Sequence, residues 1–173
     1  MATHGSGKTT QMYAVSAELK KFDLTVRVIG ELSTLARERG LPIDQKTTRE
    51  AQAWILHRQC AAELEADIYN YDVALCDRTV FDNYCYFQRA VGDDAFYRQF
   101  VLGHHQQHPY NALFYLPLIA GSEIAGSEGS KRDPDPQFQR EIDDEITRFF
   151  QDNPSLPLVR LPPQRETWTR RIT

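Results

Sequence analysis

Ala2-Thr3-His4-Gly5-Ser6-Gly7-Lys8-Thr9-Thr10, at the head of the chain, is the stretch that decides the fold. Glycines at this spacing allow a tight backbone path on which successive N–H groups converge on one point. The positive end of the helix that follows adds its field there, so the natural ligand is a bridging phosphate. His4, Gly5, Ser6, Gly7, Lys8, Thr9 and Thr10 thus form a phosphate-binding loop. Lys8 is placed to reach the β- and γ-phosphates, and the Thr9 hydroxyl to ligate Mg2+. Ala2 stands where the first glycine of the pattern usually sits. A Gly/Ser turn ahead of a helix is the alternative, set aside because GSGKTT runs at once into a good helix.

Such a loop is ordinarily launched by a buried apolar strand, whereas only Met1 precedes it here. The expectation is a sheet whose first, central strand is missing, with the start upstream, the chain trimmed, or another segment in the slot. An empty central slot leaves two rows of unpaired backbone groups, which a domain of this size can hardly carry.

Outward from the loop, helical and β-rich runs alternate. Residues 8–22 read as a helix with Tyr13, Val15, Ala17 and Leu19 on an apolar face. Leu24–Ile29 is β-branched and short, which suits a strand. Residues 48–69 make a long helix with Trp54, Ala61, Leu64 and Ile68 on one side. Asp72–Cys76 reads as a buried parallel strand. Helices are predicted at 80–90 and 93–106, and further strands at Ala112–Leu116 and Leu158–Leu161. A polar segment from Gly121 to Asp135 leads into a helix on which Phe138, Ile142, Ile146 and Phe150 stack four apart. Strands separated by helices imply crossover connections, hence a parallel α/β sheet with helices on both faces.

The 173 residues suit a single domain spanning 1–173. A net charge of −4 argues against a broad, sequence-independent nucleic-acid binder, which needs a basic surface. No apolar run reaches the roughly 18 residues of a membrane span, and no basic-then-apolar signal pattern opens the chain. A cytoplasmic location is expected. Cys60, Cys76 and Cys85 lack paired spacing and read as reduced thiols.

Several residues complete a phosphate site on chemical grounds. Asp77 ends a parallel strand, where such sheets bind ligands; it could hold Mg2+ through a water, with Arg78 clamping a phosphate or an acceptor group. The alternative makes Asp77 a helix cap and Arg78 a surface charge. Asp82 and Tyr84 fall on the following helix start, near the site or merely on the helix surface. Glu31, with Arg37 after it, could act as general base on an acceptor hydroxyl or simply favour a helix N-terminus. Gln52 carries an amide suited to reading a base edge, or is solvated. Lys131 and Arg132, with Arg140 on the next helix, could be delivered by a closing lid at 118–136 to charge developing on γ-oxygens, or sit on an exposed basic loop. His104 and His108 stand a helical turn apart but lack a third ligand at metal spacing, so His104, His105 and His108 read as a surface helix end. Trp54, Tyr84 and Tyr86 could stack a ring, but on helices such aromatics more often belong to the core.

Together THGSGKTT, Glu31…Arg37, Gln52-Ala53-Trp54-Ile55, the run from Asp77 to Tyr84, and Lys131 to Asp143 resemble the small P-loop kinases that include bacterial nicotinamide-riboside kinase domains. AAA-domain ATP-binding proteins share the likeness, and deoxynucleoside and thymidylate kinases are related. The resemblance implies a P-loop NTPase three-layer sandwich with a five-stranded parallel core, a lid, and ATP with Mg2+ as donor. It implies Asp77 and Arg78 at the acceptor and metal, Glu31 as base or acceptor contact, and Arg132 or Arg140 as lid arginine. A purine pocket borrowing from Pro162 to Arg165 is implied too. The function expected is phosphoryl transfer to a small nucleoside or nucleotide. A nucleotide-binding regulatory or adaptor protein is the second reading, and a DNA-associated ATPase motor, lacking a second acidic strand motif, the third. The absence of an Asn-Lys-x-Asp pattern favours ATP over GTP.

Overall fold

A computed structural model describes residues 7–116 and 135–162, together with Thr169 and Ile172. His4, Gly5, Ser6, Lys131, Arg132, Arg165 and nearly all of the expected lid lie outside the described residues.

The first helix, α1 (Lys8–Lys20), begins immediately after Gly7, whose φ of 88° and ψ of 13° lie in the left-handed region that glycine adopts without strain. Strand β1 (Val26–Ile29) leads into α2 (Leu32–Glu38) and a single 3-10 turn at Asp44–Lys46. Next come α3 (Arg49–Ile68), β2 (Val73–Cys76), α4 (Val80–Val91) and α5 (Ala95–Gln107). Strand β3 (Leu113–Tyr115), α6 (Pro136–Asp152) and β4 (Leu158–Arg160) complete the order. No helix among the described residues is long and apolar enough to cross a membrane.

The strands pair in parallel, as the helical crossovers require. Val26 to Ile29 lie opposite Val73 to Cys76, and Leu113 to Tyr115 opposite Leu158 to Arg160. The two pairs are separate sheets, and among the described residues no strand joins β2 to β3. The described residues thus hold four strands, in two pairs. Helix α2 replaces the plain segment expected after Glu31. Glu31 lies at its N-cap, but its side chain makes no capping bond because it points to Arg78.

The main core forms where α4 meets α3, α5 and α6, over β3. Phe81, Tyr84, Phe87, Ile142, Ile146 and Leu56 are essentially removed from water. The four-apart row on α6 is buried as its spacing predicted, with Phe138, Ile142, Ile146 and Phe150 all inside. Ring contacts tie α4 to α6 through Phe81 and Phe149, with centroids 5.3 Å apart. Each such pair adds about 0.5–1.5 kcal/mol beyond area burial.

Two predicted faces are rotated. On α1, Met12, Val15 and Ser16 are buried, while Tyr13 is 59% exposed and Ala17 is also on the outside. On α3 the buried row runs through Ala51, Ile55, Gln59, Ala62 and Ala66, whereas Ile68 is 70% exposed. Small and polar residues occupy that inner row because α3 carries a buried hydrogen-bond network. Gln59 Nε2 donates to Glu63 Oε1 at 2.7 Å, and Asn83 Nδ2 donates to Gln59 Oε1 at 3.3 Å. Counting apolar residues on such a helix selects the outer face.

Candidate active site

The site gathers at the carboxyl ends of β1 and β2, where the first turn of α1 arrives. Asp77 follows β2 directly, and its N–H donates to the Ile29 carbonyl at 2.9 Å, so the ladder fixes its backbone. Its side chain is 3% exposed. The Thr9 hydroxyl donates to Asp77 Oδ2 at 2.5 Å, joining residues 68 apart in sequence. The other carboxylate oxygen, Oδ1, is buried with no hydrogen-bond partner among the described residues. An uncompensated buried carboxylate oxygen costs free energy unless a cation or donor meets it. A hydroxyl and a carboxylate are the hard oxygen donors that Mg2+ prefers, so Thr9 and Asp77 fit that ion.

Lys8 lies in the same first turn and is buried. Burial, and then the neighbouring Arg78, lowers its pKa to about 8, against the opposing pull of Asp77, Glu31 and Asp82. A partly discharged lysine beside a helix N-terminus is poised to regain its proton when an anion arrives.

Arg78 is 4% exposed and bridges to Glu31 from β1's end. Its Nε and Nη2 approach Glu31 Oε1 at 3.0 and 2.7 Å. Nη2 also donates to the Tyr86 hydroxyl at 3.1 Å, and the guanidinium carbon sits 4.3 Å from that ring's centre. Burial works against its charge, but Tyr86, Glu31 and Asp82 more than offset that and raise its pKa. Nη1 is buried and without a hydrogen-bond partner among the described residues. An arginine with one arm anchored and the other unsatisfied is suited to grip an oxyanion.

Thr79 and Asp82 form a capping box that starts α4. Asp82 Oδ1 accepts from the Thr79 N–H at 2.5 Å and the Thr79 hydroxyl at 2.7 Å, while the Thr79 hydroxyl oxygen accepts from Phe81 and Asp82 N–H groups. The capping role that was the alternative for Asp77 therefore falls to its neighbours. The first helical donor, Val80 N–H, is met by the Tyr110 hydroxyl at 3.0 Å, which itself donates to Glu63 Oε1 at 2.7 Å. His104 pairs with Glu63 Oε2 at 2.7 Å. Its side chain is 7% exposed, so it lies inside the protein where a surface helix end was expected.

The structure thus brings together Lys8, Thr9, Asp77, Arg78 and Glu31, with Gly7 at the turn. Thr10 is exposed on α1, and Arg37 is half-buried in the last turn of α2. Gln52 is buried, its Nε2 donating to the Thr47 hydroxyl at 2.9 Å, so it is held by protein in place of solvent. Asp82 is fully buried under the start of α4. Tyr84 lies in the core, its ring stacked on Phe87 and its hydroxyl donating to Asp93 at 3.1 Å. Arg140 is exposed on α6. Tyr86 was read only as a ring for stacking or the core. Arg78 lies ahead of α4, which starts at Val80, so no helical spacing in the sequence signals its contact with Tyr86.

No protein-family model and no curated protein sequence matches the chain. Solved structures do. Deoxyadenosine kinase from M. mycoides with bound dCTP aligns with a TM-score of 0.64 at 13% identity, covering 99% of this chain and 94% of that one. The same enzyme's structure with bound dATP aligns at 0.60 and 15% identity, with the same coverage. At such identities the likeness is one of fold: this chain has the α/β architecture of those deoxyadenosine kinase structures.

Proposed function

We propose that this chain transfers the γ-phosphoryl group of ATP, with Mg2+, to a hydroxyl of a small nucleoside or nucleotide. The observation that carries the reading is the pairing of Thr9 with Asp77 beside buried Lys8, with the second Asp77 oxygen unsatisfied. The nucleoside-kinase fold supports it, and the deoxyadenosine kinase neighbours favour a deoxynucleoside as acceptor.

In this reading the turn at Gly7 and the start of α1 receive the polyphosphate, and Lys8 gains a proton as it meets the β- and γ-oxygens. Thr9 and Asp77 would hold Mg2+, which when bound neutralises charge on the transferring group. Arg78, anchored by Glu31 and Tyr86, directs its remaining arm to an oxyanion. Glu31 takes the hydrogen bond of the acceptor hydroxyl and orients its lone pair toward phosphorus. Lys131 and Arg132, within a lid at 118–136, and Arg140 bring further positive charge as the site closes over both substrates, and His4, Gly5 and Ser6 complete the loop. Most of the rate enhancement then comes from positioning and fixed electrostatics.

The test is transfer of label from γ-labelled ATP to a panel of deoxynucleosides and ribonucleosides. Lys8→Ala and Asp77→Asn are each expected to lower the rate by about a hundredfold or more. Equal transfer by parent and variants overturns the assignment. Nucleotide binding lost in Lys8→Ala, with no acceptor phosphorylated by the parent, points instead to a nucleotide-binding regulatory protein.

A further inference from the structure

A second group of buried polar side chains, apart from the candidate site, centres on Glu63 of α3. Its Oε1 accepts from Gln59 Nε2 and from the Tyr110 hydroxyl, and its Oε2 pairs with His104, all at 2.7 Å. Gln59 is fully buried, and its own Oε1 accepts from Asn83 Nδ2 on α4. Taking a carboxylate out of water is costly, and apolar side chains of similar volume often stabilise a core as well or better. What this cluster supplies that an apolar core does not is direction, since each hydrogen bond fixes an angle as well as a distance.

That direction is delivered to the start of α4. A helix begins with four N–H groups that no preceding turn can receive. Here the capping box takes those of Thr79, Phe81 and Asp82. The remaining one, from fully buried Val80, goes to Tyr110. Because an N–H can only donate, the Tyr110 oxygen accepts it and the phenol proton points to Glu63. Burial, and then the Glu63 charge, hold that phenol well above the usual tyrosine range, so the proton stays in place. The ring is held as well: it stacks on His105 with centroids 5.5 Å apart and meets Phe81 edge-on at 5.7 Å. The Tyr110 backbone N–H donates to His105 Nδ1 at 3.2 Å. Val80 and Asn83 are three apart and share one side of α4, so Glu63 grips the first turn at two points, through Tyr110 and through Gln59.

The turn so held is the one that carries Asp77 and Arg78. It is pinned ahead by the Asp77 N–H on the Ile29 carbonyl and behind by the Val80 N–H on Tyr110. We infer that Tyr110, aligned by Glu63, is a positioning residue for phosphoryl transfer, which holds the first N–H of α4 so that Asp77 and Arg78 meet their ligands at a set angle. Both residues act through the backbone of the turn. A displacement of about 1 Å at a reacting centre costs up to about a hundredfold in rate, so a single lost hydrogen bond at this hinge is felt in turnover. The inference rests on the phosphoryl-transfer reading for its catalytic consequence, whereas the hold of Tyr110 on Arg78 can be measured without it.

Tyr110→Phe keeps the ring contacts and removes only the hydroxyl. With ATP and saturating Mg2+, its kcat is expected to fall about ten- to thirtyfold while the KM for ATP stays within about twofold, because Lys8 and the start of α1 still receive the nucleotide. Glu63→Ala is expected to do the same, and the double variant to be no worse than either single one, since the two residues act in series. Glu63→Gln, whose amide oxygen still accepts from Tyr110, is expected to recover most of the loss. A second readout needs no turnover. The NMR signal of the Arg78 Nε–H, identified by its absence in Arg78→Lys, is expected to shift and to exchange faster with solvent in Tyr110→Phe, as the bond to Glu31 loosens. An unchanged Arg78 signal, or a lower Tm with kcat unchanged, makes the network purely structural and overturns the inference. So do additive losses in the double variant, or a Glu63→Gln protein as impaired as Glu63→Ala. Should Tyr110→Phe not fold, the comparison of Glu63→Ala with Glu63→Gln decides by both readouts. A parent that transfers to no acceptor overturns the phosphoryl-transfer reading, and the Arg78 signal then decides the hold of Tyr110 on the turn.

Discussion

Raising the pH from about 7 to about 9 should weaken nucleotide binding, because Lys8 loses its proton in that interval only in the unliganded protein. Burial and the adjacent Arg78 bring its pKa from 10.5 to about 8. That shift corresponds to about 3 kcal/mol by which the folded site disfavours the ammonium. A polyphosphate offsets this by supplying the opposite charge, so the liganded pKa returns upward. At pH 8 about half of the free protein must take up a proton on binding, and the affinity for ATP with saturating Mg2+ should be about tenfold lower at pH 9 than at pH 7. Calorimetric titration in buffers of different ionisation enthalpy reads both the affinity and the proton count. Lys8→Arg, charged throughout, should lose the pH dependence even if its affinity is lower. The unliganded protein should respond in the opposite direction. A lysine whose folded pKa lies below its unfolded value destabilises fully below pH 8, and this penalty is released as the pH rises toward 10.5. A flat affinity across the range, or a Lys8→Arg protein with the parent's slope, refutes the argument.

Removing the guanidinium in Arg78→Met strands Glu31, whose side chain is only 15% exposed. Breaking such a pair costs about 3–5 kcal/mol, or about 6–20 °C in Tm for a chain of this length. A double-mutant cycle with Glu31→Gln should show clear coupling, and simple additivity would mean the two act separately. Thr79→Ala removes the cap of α4 and half of the Asp82 hydrogen bonding, so urea melts should show a loss of about 1–2 kcal/mol; an unchanged midpoint would dismiss the capping box. Burial pushes the Cys60 thiol up to about 12 and also raises those of Cys76 and Cys85 well above the usual thiol range. Alkylation at about pH 8, followed by mass spectrometry, should therefore be slow in the native protein and fast in urea. Equal rates would show that the cysteines are accessible.

The start of α1 was legible because its signal is local: Gly7 takes a left-handed turn and the helix runs on at once from Lys8. Strand positions were legible for a similar reason, since short β-branched runs between helices leave little choice. The faces of α1 and α3 were not. On α3 the buried row carries Gln59 and Glu63, which face inward because each finds a partner from a distant element. Apolar counting cannot see partners contributed from 24 to 47 residues away. His104 was misplaced for the same reason, its burial being decided by Glu63. Helix α2 carries polar residues over most of its seven-residue length, so it offers no periodic signal.

The wiring of the site has a consequence for how the molecule folds. Thr9 meets Asp77 across 68 residues, Arg78 meets Glu31 across 47, and Tyr110 reaches the Val80 N–H across 30. Each contact closes a long loop whose entropy is lost before the contact contributes. The helix pair α4 and α5, joined by a three-residue link, can dock on each other without any of them. Refolding should then proceed in two kinetic stages, an early burial of Phe81 and Phe87 followed by slower arrival of α1. Ligand competence would be the last property acquired, lagging behind the recovery of helical signal.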